Sequence, residues 1–173
     1  VFIVGGVIAV VRATGAIDAL IAAALRYWGG RPAILIAGMM TLFALGSSTI
    51  GMAEEYLPFV PILVSMCLAL RMDAVVAVGI IYVGVGIGYG CAAINPFTVL
   101  IAQDIAGLTP ASGQGFRWLL LLMCSAVGVH HLLGYVRQVE SDPKSSIVHD
   151  IDYSAGFARP KNIQFTGAHV LVL

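Results

Sequence analysis

Residues 32–70 read PAILIAGMMTLFALGSSTIGMAEEYLPFVPILVSMCLAL, two apolar arms around a polar turn. The first arm runs from Pro32 to Ser48 and the second from Leu57 to Leu70, with Ser47, Ser48, Thr49, Ile50, Gly51, Met52, Ala53, Glu54 and Glu55 between them. At 1.5 Å per residue the arms reach roughly 25 Å and 21 Å, both short of a hydrocarbon core about 30 Å thick. The stretch therefore predicts a re-entrant helical hairpin over residues 32–70, flanked by Arg31 and Arg71, with its tip buried within the protein.

The composition agrees with a bilayer as solvent. Of 173 residues, 60% are hydrophobic and 10% charged, and the mean hydropathy is +0.97. A soluble domain carries about 25% charged residues, so this chain lacks the charge to cover an aqueous surface. Nine basic and nine acidic residues cancel, which leaves no electrostatic footprint for nucleic acid. Cys67, Cys91 and Cys124 lie in apolar stretches without metal-ligand or disulfide spacing and read as small hydrophobes.

Outward from the hairpin, residues 1–12 read as the end of a span. Residues 14–29 predict an interfacial helix, with Thr14 as its expected cap and Tyr27 and Trp28 of types favoured at a membrane surface. The charge-free run from Ala74 to Gln103 would reach about 45 Å as one straight helix, yet Asn95 and Pro96 interrupt it. Residues 74–106 therefore predict a broken, discontinuous transmembrane helix. Residues 117–136 make one span, 137–164 a cytoplasmic loop and 165–173 the start of the next helix. The apolar runs at both ends predict a fragment of a longer parent. The fold class is all-α, a polytopic membrane protein. With this layout Arg12, Arg26, Arg31, Arg71, Arg137, Lys144, Arg159 and Lys161 share one face, which the positive-inside rule makes cytoplasmic, and Arg117 alone lies on the other.

Two places could carry chemistry. Glu54 and Glu55 at the hairpin turn are intramembrane acids, and a carboxylate there is costly unless paired, hydrated or protonated, which favours a functional role. The bland alternative is a solvated external loop whose acids sit at the positive end of the second arm. The second place is Asn95, Pro96, Phe97 and Thr98, where the proline frees the carbonyl of Ala92 for protein, water or an ion. Its alternative is an external loop. The glycines at 79, 84, 86, 88 and 90 fit no phosphate-binding pattern and predict close helix packing or local unwinding. His130 and His131 point about 100° apart on a helix, so they form no joint metal site.

The ordered set Thr14-Gly15-Ala16-Ile17-Asp18, Gly51-Met52-Ala53-Glu54-Glu55, Asp73, the glycine-rich helix and Asn95-Pro96-Phe97 resembles the DcuC/YfcC-type carriers, the C4-dicarboxylate anaerobic carrier-like family. The similarity covers roughly residues 1–136. It implies a secondary active transporter of the bacterial inner membrane, multi-pass, built from two inverted repeats that each hold a re-entrant hairpin and a discontinuous helix. This chain would carry most of the first repeat. By the same resemblance, Ser47, Ser48, Thr49, Gly51, Glu54 and Glu55 at the tip would meet Asn95, Pro96 and Thr98 at the break, forming the substrate or ion site. The expected partners are a small-molecule substrate and the lipid bilayer, with a homodimer of the full-length parent. No cofactor, metal site or catalytic residue is expected beyond a coupling Na+ or H+. Two adjacent acids repel a dianion unless neutralised and attract a cationic amino acid. The resemblance covers carriers named for both substrate kinds, amino acids and C4-dicarboxylates. The competing classes are a non-transporting membrane anchor or assembly subunit, and an intramembrane hydrolase using Ser47 or Ser48 with Glu54 or Glu55.

Overall fold

The computed structural model describes residues 31–151. The expected elements at 1–12, 14–29 and 165–173, and the later part of the loop to residue 164, lie outside the described residues.

Helix α1 covers Pro32–Thr49. Pro32 opens it, at the position where a missing N–H costs nothing. It closes where the Gly46 carbonyl accepts the N–H groups of Ile50 at 2.9 Å and Gly51 at 3.1 Å. Gly51 then takes a φ of 82°, the left-handed region that a residue without Cβ enters freely. A tight 3-10 segment, Glu54–Phe59, leads into α2, Val60–Ala69. The edge of the Phe59 ring meets Phe43 of α1 at a centroid distance of 5.8 Å, tying this segment back to the first arm. Arg71, with a φ of 62°, ends α2, and the Met72 N–H donates to the Cys67 carbonyl at 2.9 Å.

Helix α3 covers Ala74–Gly90 and is capped by Asp73, whose carboxylate accepts the Val76 N–H at 3.0 Å. It stops at Cys91. After a short stretch of turn and bends the chain enters a wide π turn at Pro96–Leu100 and then the short helix α4, Ile101–Ile105. Helix α5 runs from Gln114 to Ser141. There is no strand among the described residues, and α1 and α5 are each long and apolar enough to cross a bilayer. The protein is an all-α membrane protein.

Glycine contacts fix how the helices lie. A Cβ on Gly84 would sit 2.8 Å from the Met40 carbonyl oxygen, and one on Gly88 would run into the Ala44 carbonyl. Rising numbers therefore meet rising numbers, so α1 and α3 run side by side in the same direction, backbone against backbone. The glycine-rich run is a packing seam. A Cβ on Gly128 would touch Met40 and Ile87, and one on Gly79 would touch Leu132, so α5 runs antiparallel to α3. The core between them holds Ile36, Met40 and Phe43 of α1, Leu63 and Cys67 of α2, Val76, Ile80 and Ile81 of α3, and Leu132 and Val136 of α5.

These directions sort the charges. Arg31, Arg71, Arg137 and Lys144 fall at one end of the bundle, and Arg117, at the start of α5, falls at the other. At the first end the buried Asp73 carboxylate accepts the Tyr135 hydroxyl at 2.6 Å and the Ser146 hydroxyl at 2.6 Å, tying α5 and the segment after it to the start of α3.

One boundary differs from the sequence reading. The loop expected from residue 137 begins only after Ser141, because α5 continues through Arg137, Gln138, Val139 and Glu140. Arg, Gln and Glu are good helix formers, so charge ends the apolar span there without ending the helix.

Candidate functional site

The end of α1 and the break after α3 meet in a buried junction. Ser47, Ser48 and Asn95 are each fully buried. Asn95 Nδ2 donates to the Ser47 carbonyl at 2.7 Å, while Asn95 Oδ1 accepts the Phe97 N–H at 2.8 Å and the Thr98 N–H at 3.2 Å. One side chain thus holds the first arm and caps the turn that follows the break. The Ala93 N–H donates to Ser48 Oγ at 2.9 Å and the Ile94 N–H to the Ser48 carbonyl at 3.2 Å. Backbone groups without a helical partner inside a bilayer must be satisfied by protein, and here the tip satisfies the break.

The tip is fixed from its own side as well. Ser47 Oγ donates to the Met52 carbonyl at 2.8 Å, and the Tyr89 hydroxyl of α3 donates to the Gly51 carbonyl at 2.9 Å. A Cβ on Gly51 would lie 2.5 Å from the Phe97 ring and 3.0 Å from Asn95 Oδ1, so glycine is required there by space as well as by φ. Thr49 turns its hydroxyl back to the Leu45 carbonyl at 2.7 Å within its own helix. Pro96 starts the π turn, where the Asn95 carbonyl accepts the N–H groups of Val99 at 3.0 Å and Leu100 at 3.2 Å.

The acids stand apart from this junction. Glu54 and Glu55 are exposed among the described residues. Glu55 Oε2 accepts the Ala53 N–H at 2.8 Å, so this side chain folds back onto the residue that precedes its own 3-10 segment. Glu54 instead borders a cavity of about 370 Å³ together with Tyr56, Tyr82 and Tyr89. The serines of the imagined hydrolase spend their hydroxyls on backbone groups, and neither is bonded to Glu54 or Glu55 among the described residues.

A second cavity, of about 500 Å³, shares Tyr89 with the first and lies between the break, α4 and the start of α5. Thr98 lines it, and so does Arg117. Gln103, also in its lining and buried, shapes the adjoining loop by donating to Ser112 Oγ at 3.0 Å and accepting the Ala111 N–H at 2.8 Å.

The structure therefore brings Ser47, Ser48, Gly51, Asn95 and Pro96 together, sets Thr98 in the adjacent cavity, and leaves Thr49, Glu54 and Glu55 around the rim. Sequence reasoning passed over Tyr89, Gln103 and Arg117. Tyr89 carried a usable signal, since a hydroxyl inside an apolar glycine-rich run needs a hydrogen-bond partner. Among the described residues no group of three or more His, Cys, Asp or Glu side chains converges to hold a metal.

Comparison with known proteins places this geometry in a family. The profile of the C4-dicarboxylate anaerobic carriers, DcuC, matches residues 1–164. Two relatives align over 150 residues, 87% of this chain: an uncharacterized protein of Haemophilus influenzae at 35% identity and YfcC of Escherichia coli, a proposed basic amino acid antiporter, at 33%. The chain spans 30% of the length of these two proteins. No solved structure matches it. A chain matched by the carrier profile over residues 1–164, nearly its whole length, belongs to the C4-dicarboxylate anaerobic carrier family.

Proposed function

We propose that this chain forms one half of the substrate pathway of a secondary active transporter, which moves small carboxylate-bearing metabolites across the cytoplasmic membrane coupled to an ion gradient or in exchange. The observation that carries the reading is the buried junction of Ser47 with Asn95, where the tip of one helical arm meets the break of another. Broken helices whose ends meet inside a membrane are how transporters present backbone groups to a solute. The basic end of the bundle, with Arg31, Arg71, Arg137 and Lys144, faces the cytoplasm in this reading.

The arm lengths support a tip that stops within the membrane. Gly128 of α5 lies level with Met40 of α1, and from that level α5 continues about 7 Å further than α1 on a straight-helix estimate. Asn95 has most of its hydrogen-bonding capacity committed to protein, so its role is to position the junction. Glu54, beside a cavity lined by tyrosines, is the acid suited to meet a coupling cation, Na+ or H+, or the ammonium of an amino acid. Amino acids, basic ones included, and C4-dicarboxylates are the substrate classes in view. The relative named as an antiporter of basic amino acids supports the first, and the family's own name supports the second.

The test is uptake of labelled L-arginine and labelled succinate into proteoliposomes holding the full-length protein, with Na+ and H+ gradients imposed separately. Saturable uptake of either solute that collapses with one gradient, or counterflow of one against the other side's pool, is expected. Background-level uptake and counterflow of both would overturn the reading.

A further inference from the structure

We infer that the cavity between the helix break and the start of α5 is a carboxylate subsite, built from the Arg117 guanidinium and the Thr98 hydroxyl. The inference rests on the transporter reading above and names which group of the substrate this side of the pathway receives.

Three observations converge on it. The cavity, about 500 Å³, is large enough for a metabolite of a few carbons, and most of its lining is apolar: Ala92, Val99, Leu108, Phe116 and Leu120 among others. Two buried polar atoms lack a hydrogen-bond partner among the described residues, Thr98 Oγ1 and Arg117 Nη1, and both residues belong to this lining. Finally, among the described residues Arg117 is the one basic residue at its end of the bundle.

A buried donor without a partner costs about the desolvation of that group, and an arginine makes the cost larger. Such a donor persists where something else completes it. A guanidinium presents parallel N–H groups that match the two oxygens of a carboxylate, and a hydroxyl adds a third donor. An ammonium or a neutral solute would leave the arginine unpaired, so the subsite selects for the acid end of a substrate. Tyr89 lines both this cavity and the one that Glu54 borders, so the two adjoin at one side chain. A zwitterion reaching across Tyr89 would meet opposite charges in the two, and a dianion would use the arginine side.

Cys91 lines the same cavity and is only partly buried, which supplies a native reporter, while Cys67 is buried in the core and reports unfolding. The experiment follows alkylation of Cys91 by N-ethylmaleimide in the purified full-length protein, resolved by peptide mass spectrometry. The probes are L-arginine against agmatine, its decarboxylated analogue, and succinate against succinamide, with inorganic phosphate as a further anion. At least one carboxylate should slow alkylation of Cys91, and its partner lacking the carboxylate should not. Protection by L-arginine but not succinate assigns an amino acid carboxylate, and the reverse assigns a dicarboxylate. Arg117→Gln should weaken the protecting ligand by about tenfold or more, Arg117→Lys by less, and Thr98→Val should weaken it with Arg117 intact.

If Arg117→Gln leaves Cys67 reactive, the protein has unfolded, and Arg117→Lys and Thr98→Val then decide the matter. Absence of protection by both carboxylates, equal protection by agmatine or phosphate, or full protection in the folded Arg117 and Thr98 variants would overturn the subsite. Protection reads the cavity without transport, so loss of uptake in the unmodified protein would strike the transporter reading and leave this result standing on its own.

Discussion

The side-chain amide of Asn95 reaches across 48 residues of sequence to the carbonyl of Ser47 at 2.7 Å, with both residues fully buried. The same side chain accepts the N–H groups of Phe97 and Thr98, so three backbone groups depend on it. Asn95→Ala leaves all three without a partner in a dry site, and at about 1 kcal/mol or more each the variant should lose about 3 kcal/mol or more of stability. Asn95→Asp keeps the acceptor and loses the donor, so it should fall between the two. Thermal unfolding of the detergent-solubilised protein checks the order. An Asn95→Ala variant with parental stability and no transport would show the residue to be a direct ligand instead.

The seam between α1 and α3 gives a paired prediction. Gly88→Ala drives a methyl group into the Ala44 carbonyl and the Ser47 Cβ, and should destabilise the protein or part the helices. Gly86→Ala, two residues away, meets nothing within 4 Å and should be neutral or stabilising by up to about 1 kcal/mol through helix propensity. Opposite signs for the two substitutions in thermal midpoint are the expected outcome.

The two adjacent acids should separate. Glu54→Gln alters the cavity lined by Tyr56, Tyr82 and Tyr89, and is expected to abolish uptake or to flatten its pH dependence while expression stays normal. Glu55→Gln weakens the hydrogen bond from the Ala53 N–H and should lower thermal stability slightly with transport retained. Uptake against pH in proteoliposomes, measured for each variant and for the pair, distinguishes them. A double variant with the parental rate and pH profile removes both acids from the coupling site.

At the other end, Tyr135→Phe removes one of the two hydroxyls that reach the buried Asp73 carboxylate from outside α3. A hydrogen bond to a charged group is worth about 1.5–3 kcal/mol, so the segment after α5 should loosen from the bundle. Limited proteolysis should then cut within residues 142–151 faster than in the parent, with cleavage elsewhere unchanged.

The all-α fold and the two places that could matter were legible because they depend on run lengths. Two apolar arms around a polar turn, and a charge-free run too long for one helix, point to a tip and a break before any contact is known. What holds the tip against the break was not legible, since Ser48 with Ala93 and Tyr89 with Gly51 are pairs separated by 45 and 38 residues. The setting of the acids was hidden for a related reason: Glu54 and Glu55 stand exposed among the described residues, and the buried hydrogen bonding of the junction falls to Ser47, Ser48 and Asn95. Arg117 was read only as a topological marker, because its unpaired nitrogen becomes visible only when α5 is laid beside Thr98.

The glycine seam has a mechanical consequence. Where two helices touch through their backbones at Gly84 and Gly88, sliding α3 forward along α1 would carry the larger Ile80 or Ile81, one turn before Gly84, into the contact. Shear between α1 and α3 is therefore blocked, and the bonds from Ser47 and Ser48 to Asn95, Ala93 and Ile94 lock the far end of the pair. Tip and break therefore keep a constant separation and orientation, and any motion of one carries the other with it as a single rigid unit.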